Sequence, residues 1–228
     1  MSRSALLLAG GASSRLGRDK ALVEIGGRTV LSLVASAARS ALSSDAPDIL
    51  LSVRDAASFA GALQVDPDDI LAGVRLVFDE VPDRGPVAGF AAGLAAATGE
   101  IVAVVAADLP FVTGDLLAGL LTLLEEDPDV DAVVPTVGGR DQTLCAAFRS
   151  RVAGVAADLL DRATVGAGPS VVSLIASLDV RRVSEVAGYG AEDLAVLCRG
   201  IDTPADLEWA RGRVGGPKEA AESPGGSL

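Results

Sequence analysis

Glycine and basic residues follow an apolar run close to the start of the chain. Residues 5–9 are apolar and predict a buried strand, which Gly10 and Gly11 end abruptly. Glycines allow a tight turn and let a ligand approach main-chain amides without a Cβ atom in the way. Those amides can donate to phosphate oxygens, and Arg15 and Lys20 add positive charge. This stretch therefore predicts a phosphate-binding loop.

The spacing of this loop differs from that of the two better-known glycine-rich phosphate loops. In a Walker loop four residues separate the glycines and a lysine follows, whereas here five separate Gly11 from Gly17 and Arg18 follows. The dinucleotide pattern Gly-x-Gly-x-x-Gly is also missing from the loop. A ligand-free turn is the alternative, but Lys20 is one of only two lysines in the chain. The lysine favours the phosphate-binding interpretation.

Carboxylates come directly after other apolar runs. Asp108 follows the apolar residues 101–107, and Asp79 follows the shorter predicted strand 74–78, which is apolar except for Arg75. A carboxylate held at the end of a strand suits a hard cation such as Mg²⁺. Asp202, which precedes a Thr-Pro pair, would be a second carboxylate at the same metal. For each of these residues a turn or a helix cap is the alternative.

Composition excludes several classes of function. The 228 residues carry a formal net charge of −12 and no long basic run, which disfavours nucleic acid and anionic membranes as main partners. No apolar run could span a bilayer, so a cytoplasmic location is expected. The chain has no histidine, which excludes histidine-based nucleophilic catalysis and histidine-ligated metals. Cys145 and Cys198 lack metal-site spacing and predict buried free thiols.

Alternating strand and helix patterns position these residues. Apolar runs predict strands at 5–9, 49–53, 74–78, 101–106, 132–134, 144–148 and 194–197. Helical spacing of apolar residues predicts helices at 30–42, 87–97, 114–126, 152–160 and 170–178, and a last one that Thr203 caps and Pro204 begins. The alternation predicts an α/β fold with three layers and a mostly parallel, doubly wound sheet.

One domain over residues 1–214 suits this length, and a Gly-, Pro-, Ser- and Glu-containing tail over 215–228 is expected to be disordered. In doubly wound sheets, ligands bind at the carboxyl ends of the strands. The candidate binding and catalytic residues fall at or just after predicted strands. We therefore expect one crevice to contain Gly10, Ser52, Asp79, Asp108 and Asp202.

Four motifs, taken together and in order, resemble those of the molybdenum cofactor guanylyltransferases of the MobA type. They are Leu8-Ala9-Gly10-Gly11-x-x-x-Arg15-Leu16-Gly17-x-Asp19-Lys20, Gly85-Pro86-Val87-Ala88-Gly89, Asp108-Leu109-Pro110 and Asp202-Thr203-Pro204-Ala205-Asp206-Leu207. The resemblance spans about residues 5–211. It implies a Rossmann-like nucleotidyltransferase fold and the transfer of GMP from GTP to the phosphate of molybdopterin, with Mg²⁺ as cofactor and pyrophosphate as product.

The resemblance and the residue patterns described above together imply roles for individual residues. Those expected at the nucleotide are Leu8, Ala9, Gly10, Gly11, Lys20, Ser52, Asp79 and Asp108. The expected catalytic residues are Arg15, Lys20 and Asp108, and the expected metal ligands are Asp108 and Asp202. The expected partners are GTP and molybdopterin, together with proteins that deliver molybdopterin.

Two departures from the family pattern leave alternatives open. Ser52 stands where an Asn is common, and Gly200-Ile201-Asp202 replaces an Asn-x-Asn sequence. These differences concern the choice of base and the pterin side of the site. A CTP-dependent or sugar nucleotidyltransferase on the same fold is therefore one alternative, and a non-catalytic nucleotide-binding module is another.

Overall fold

The computed structural model describes residues 1–9, 20–53, 71–78, 86–163 and 168–215. The strands in these ranges are β1 (Arg3–Leu8), β2 (Glu24–Ile25), β3 (Arg28–Thr29), β4 (Asp48–Val53), β5 (Arg75–Phe78), β6 (Ile101–Ala106), β7 (Ala132–Val137), β8 (Arg140–Asp141), β9 (Cys145–Arg149) and β10 (Val180–Val183). The α-helices are α1 (Val30–Leu42), α2 (Pro86–Ala96), α3 (Gly114–Glu126), α4 (Val152–Arg162), α5 (Val171–Ile175), α6 (Ala191–Leu197) and α7 (Pro204–Gly215).

One mixed sheet organises the described chain. Its strand order is β10-β7-β9-β6-β1-β4-β5, and β8 pairs only with β7. Strand β1 is parallel to β4 and β6, β4 is parallel to β5, and β7 is parallel to β10. Strand β9 runs antiparallel to both of its neighbours, β6 and β7. The predicted mostly parallel, doubly wound sheet is confirmed, with β9 as an antiparallel insertion.

Helices cover both faces of this sheet and make the predicted three layers. Helices α1 and α3 bury their apolar residues on one face, and α2, α4 and α5 do so on the other. In β1 the period of two is visible, because Ala5 and Leu7 belong to the first core and Leu6 to the second. A Cβ atom on Gly93 of α2 would collide with the Leu6 side chain, so this glycine lets the helix lie close to the sheet.

Helix caps explain why the longest helices begin where the sequence predicts. The Thr29 hydroxyl accepts from the Ser32 amide at 3.2 Å at the start of α1. The Thr113 hydroxyl accepts from the Leu116 amide at 3.2 Å at the start of α3. Each bond satisfies a backbone donor that has no partner within the helix. The predicted bounds of both helices are confirmed.

Two short segments differ from the prediction. The strand expected at 194–197 is wrong, since these residues end helix α6. Four consecutive apolar residues do not distinguish a strand from a helical turn, and only Leu194 among them is buried. Strand β10 was not predicted, because its Val-Arg-Arg-Val sequence has little apolar signal and lies at the edge of the sheet.

Within the described ranges, no helix combines the length and the apolar character that crossing a bilayer requires. Helix α7 ends at Gly215. The disordered tail expected after it lies outside the residues that the structure describes, apart from Gly215 itself.

Candidate functional site

Asp108 lies just beyond the carboxyl end of β6, in the middle of the sheet. All six residues of β6 are buried, and the Ala107 amide extends the pairing by donating to the Leu8 carbonyl at 3.0 Å. The Asp108 carbonyl in turn accepts from the Ile201 amide at 3.0 Å. The backbone of Asp108 is therefore held on two sides, so its carboxylate has a fixed position at the edge where ligands bind in such sheets.

Lys20 brings Asp108 and Asp202 together. Its ammonium lies 2.5 Å from Asp202 Oδ1 and 3.6 Å from Asp108 Oδ2. The Asp202 side chain is 62 % exposed, whereas that of Asp108 is only 26 % exposed. Three of the residues expected at the site thus converge from distant parts of the sequence.

The described side chains of this cluster carry more negative than positive charge. Burial raises the pKa of Asp108 above its usual range, and the neighbouring Asp202 charge adds to the rise, while Lys20 opposes it. Among the residues that the structure describes, two carboxylates face one ammonium here, so an additional cation would stabilise the ionised form of Asp108.

This donor set fits a divalent cation that also binds the substrate. Within the described ranges, no group of three or more Asp, Glu, Cys or His side chains could hold a metal. Mg²⁺ at nucleotide sites is commonly held by one or two carboxylates, with phosphate oxygens and water completing the shell. Asp108 and Asp202 could supply that pair, and a bound cation would compete with Lys20 for both.

A hydrogen-bonded cap holds the segment that carries Asp202. The Asp206 carboxylate accepts from the Asp202 amide at 3.3 Å, the Thr203 amide at 3.0 Å and the Thr203 hydroxyl at 2.7 Å. Arg199 donates to it at 2.8 Å, and this bond together with those from Thr203 lowers the pKa of Asp206 to about 2. Asp206 therefore stays ionised and orients the backbone of Asp202.

The same hydrogen bonds identify Thr203 as the residue that caps α7. The Thr203 hydroxyl accepts from the Asp206 amide at 3.2 Å, so Thr203 and Asp206 form a reciprocal cap. The Asp202 side chain is then free to point towards Lys20. The sequence analysis named Asp206 only as part of a motif and gave it no role, although the Thr-x-x-Asp spacing is a capping signal.

Aromatic side chains join α7 to the Asp108 loop. The rings of Phe111 and Trp209 meet edge to face, with centroids 5.3 Å apart. The Arg199 guanidinium lies 4.0 Å from the centroid of the Trp209 ring. Arg199 thus contacts both Asp206 and Trp209, so the supports of Asp108 and Asp202 form one connected cluster.

The structure also places the other expected site residues that it describes. Leu8 ends β1 and is the register partner of Ser52 in β4, and the Ala9 amide donates to the Ser52 carbonyl at 3.0 Å. Ser52 is buried, and it lies one strand away from Leu8 towards β5. Four further residues expected at the site lie outside the described ranges, and these are Gly10, Gly11, Arg15 and Asp79.

A cavity away from the Lys20, Asp108 and Asp202 cluster is less suitable for charged ligands. It has a volume of about 780 Å³ and lies between β5, α2 and α4, where alanine and leucine side chains make up most of the lining. Asp161 is the one charged residue among those that line it within the described ranges. A site for polyanions needs cations, so this cavity is not the candidate.

Comparisons with known proteins agree with this geometry. Residues 5–181 match a family model described as "MobA-like NTP transferase domain". A relative from Natronomonas pharaonis, named "Probable molybdenum cofactor guanylyltransferase", is 32 % identical over 220 residues, which cover 93 % of this chain and 98 % of the relative. One of the same name from Pelotomaculum thermopropionicum is 28 % identical over 90 % of each chain.

A solved structure shows the same fold. Molybdopterin-guanine dinucleotide biosynthesis protein A from Archaeoglobus fulgidus has a TM-score of 0.67 at 23 % identity, and the match covers 92 % of this chain and 97 % of that one. The family model spans most of the chain and includes Asp108 and all of β1 except its first two residues. The chain therefore belongs to the MobA-like NTP transferase family and is a nucleotidyltransferase.

Proposed function

We propose that this enzyme transfers GMP from GTP to the phosphate of molybdopterin and releases pyrophosphate. The observation that carries the proposal is the convergence of Lys20, Asp108 and Asp202 at the carboxyl end of β6. The relatives named as molybdenum cofactor guanylyltransferases support the choice of both substrates.

The proposed chemistry needs no general base. A phosphate monoester is already largely ionised near neutral pH, so its oxygen can attack the α-phosphorus of GTP directly. A new P–O bond forms as the bond to the bridging oxygen breaks, and pyrophosphate leaves with that oxygen. This agrees with a chain that contains no histidine. The remaining task is to align two polyanions and neutralise charge.

The described residues suit that task. Lys20 would turn from the carboxylates to the phosphates of the incoming nucleotide and stabilise their charge. Asp108 and Asp202 would then hold Mg²⁺, which would screen the phosphates and the departing pyrophosphate. Leu8 and Ala9 would contact the nucleotide through the backbone, and Ser52 would support them from β4.

Further expected roles complete the proposal. Gly10, Gly11 and Arg15 would contribute amides and charge at the phosphates, and Asp79 would lie at the guanosine. We expect the reaction in the cytoplasm, with a molybdopterin-delivering protein as a partner and without nucleic acid.

The decisive experiment measures pyrophosphate release by the purified enzyme with Mg²⁺ and each of GTP, CTP, ATP and UTP, with and without molybdopterin. GTP-selective release that requires the pterin is the expected result. Preference for CTP would transfer the enzyme to the cytidylyltransferases. Nucleotide binding without release, with or without molybdopterin, would contradict the proposed reaction and favour a non-catalytic module.

A further inference from the structure

The two cysteines of the chain lie together beside the candidate site. Cys145 begins β9 and Cys198 follows the last residue of α6. Both are free thiols, with 1 % of Cys145 and 9 % of Cys198 exposed. Both belong to the same buried cluster, and both line the same small cavity. Two thiols that line one cavity are chemically different from two isolated buried cysteines, because one can react with the other.

A small cavity gives access to this pair. Its volume is about 210 Å³, and the residues that line it are Leu109, Asp141, Gln142, Thr143, Leu144, Cys145 and Cys198. It is therefore continuous with the Asp108 loop through Leu109. A cavity of this size admits water and small oxidants to thiols that are otherwise covered.

The interaction between the two thiols shifts their pKa values in opposite directions. The Cys145 thiol lowers the pKa of Cys198, although partial burial acts in the opposite direction. The same interaction raises the pKa of Cys145 well above its usual range, and burial raises it further. Cys198 is therefore the nucleophile of the pair, since thiolate is the reactive form.

We propose that Cys145 and Cys198 are an oxidisable dithiol that hydrogen peroxide converts into an intramolecular disulfide. The Cys198 thiolate attacks one peroxide oxygen, so an S–O bond forms, the O–O bond breaks and hydroxide leaves. The Cys145 sulfur then attacks the Cys198 sulfur, the S–S bond forms, and the S–O oxygen leaves as water. Two thiols lose two electrons in total, and one peroxide becomes two waters.

The disulfide would act on the carboxylates of the site, and this consequence depends on the proposed function. Cys145 is the register partner of Val105 in β6, three residues before Asp108. Cys198 lies four residues before Asp202. The S–S bond requires the sulfurs to approach to about 2 Å, which would pull the Asp202 segment towards β9. A small displacement of catalytic groups is enough to slow turnover strongly.

The chemical test needs no assay of activity. Reduced, full-length protein is freed of reductant and treated with increasing hydrogen peroxide, and intact mass and non-reducing peptide maps are recorded. The expected product is a monomer that has lost two hydrogen atoms, contains a 145–198 cross-link and returns to the starting mass with dithiothreitol. Closing this loop should also raise Tm by about 5 °C or more.

Single variants test the order of the two steps. In Cys145→Ser, Cys198 should accumulate as a sulfenic acid that dimedone labels, because no resolving thiol remains. In Cys198→Ser, dimedone should label Cys145 at least about tenfold more slowly, as its thiol stays protonated. If wild-type protein keeps both thiols under peroxide that converts Met1, its sole methionine, to the sulfoxide, the proposal is wrong. Cross-links found only between chains would also contradict it.

Activity separates the two proposals. If the reduced enzyme releases pyrophosphate with GTP and molybdopterin, the oxidised enzyme should do so about tenfold more slowly and recover with dithiothreitol. The double variant Cys145→Ser/Cys198→Ser should be active and insensitive to peroxide. A disulfide that leaves activity unchanged would disprove the coupling to the carboxylates. A reduced enzyme without activity would count against the proposed function and leave the disulfide chemistry intact.

Discussion

Lys20 contacts two carboxylates at once, and this contact dominates the candidate site at the scale of single residues. The partners differ, since Asp202 is mostly exposed and Asp108 is largely buried with a raised pKa. A buried carboxylate beside a like charge usually opposes folding and is kept for function. We therefore expect that a substitution of Asp108 will lower activity without lowering the stability of the fold.

The substitution Asp108→Asn tests this expectation. Turnover should fall at least about 100-fold, because the variant loses a charge that the proposed metal needs. The Tm at pH 7 without divalent metal should stay the same or rise, since a buried charge next to Asp202 is removed. Pyrophosphate release and thermal unfolding are the measurements. The exposed Asp129, changed to Asn, is the control and should alter neither. A large fall in Tm would show that Asp108 is needed for the fold.

Asp206 tests positioning, because its carboxylate holds the Asp202 backbone without reaching Lys20 in the described contacts. Asp206→Ala should lower kcat about tenfold and raise the Mg²⁺ concentration that gives half-maximal rate. It should also cost about 1 kcal/mol of stability through loss of the cap. Asp206→Asn should restore part of both.

The matched control is another helix cap. The Ser170 hydroxyl accepts from the Ser173 amide at 3.1 Å at the start of α5, on the other face of the sheet. Ser170→Ala should cost similar stability in urea unfolding and leave kcat and the Mg²⁺ dependence unchanged. If both variants slow the enzyme equally, a general loss of stability explains the effect and Asp206 has no positioning role.

At the scale of elements, the rigid parts of the site are strand ends and helix starts. Helix α7 is tied to the Asp108 loop by the Phe111 and Trp209 rings, and Arg199 lies over the Trp209 ring. Neighbouring strands β1, β4 and β6 end at the same edge. Leu8 is the register partner of both Ser52 and Ala106, and Asp108 lies two residues beyond Ala106. The site thus depends on the contact between α7 and the sheet edge.

Trp209→Leu tests this contact. The variant loses an edge-to-face ring pair and the guanidinium contact, so about 1–2 kcal/mol of unfolding free energy should be lost. Since Arg199 also holds Asp206, kcat should fall several-fold. Urea unfolding and steady-state kinetics measure the two effects. Phe78→Leu removes an exposed ring on β5 and should change neither quantity by much. An unchanged kcat in Trp209→Leu would contradict the bracing role.

Elements with strong periodicity were predictable from the sequence, and those that depend on distant partners were not. Helices α1 and α3 have caps and long apolar faces, so their bounds follow from local rules. The direction of β9 depends on which strands it joins, and nothing local encodes that. Likewise, the strand-end rule placed Asp108 at the ligand edge, but the shared ion pair with Lys20 needs the folded chain.

At the scale of the whole molecule, the candidate site and the polar centres that stabilise the fold lie at opposite ends of the strands. The site lies at the carboxyl ends of β1, β4 and β6, while two polar centres lie near the amino ends. In one, Asp48 accepts from the Ser4 and Thr98 hydroxyls, the Thr98 amide and the Arg75 guanidinium. In the other, the buried Arg149 donates to carbonyls at the end of α3, including that of Leu124 at 2.8 Å.

The substitution Asp48→Asn should lower the stability of the fold and leave kcat unchanged. Partial burial raises the pKa of Asp48, but its hydrogen bonds outweigh that effect and lower the pKa from 3.8 to about 2. The ionised group therefore adds about 1–2 kcal/mol of stability above pH 4, and that contribution is lost as the pH falls towards 2.

Urea unfolding of wild type and Asp48→Asn at several pH values checks this sign. The difference between the two proteins should be largest at pH 7 and should shrink as the pH falls from about 4 to about 2. The kcat at pH 7 should be the same for both. A difference in stability that does not depend on pH would show that the charge of Asp48 is not its source.

The antiparallel strand β9 has one more consequence. Because it runs against β6, its first residue lies opposite the last residues of β6, and the Leu144 carbonyl accepts from the Ala106 amide at 2.8 Å. Strands β9 and β1 lie on opposite sides of β6, so Asp108 stands between the start of β9 and the end of β1. The sequences on the two sides can change separately while the carboxylate between them stays in place.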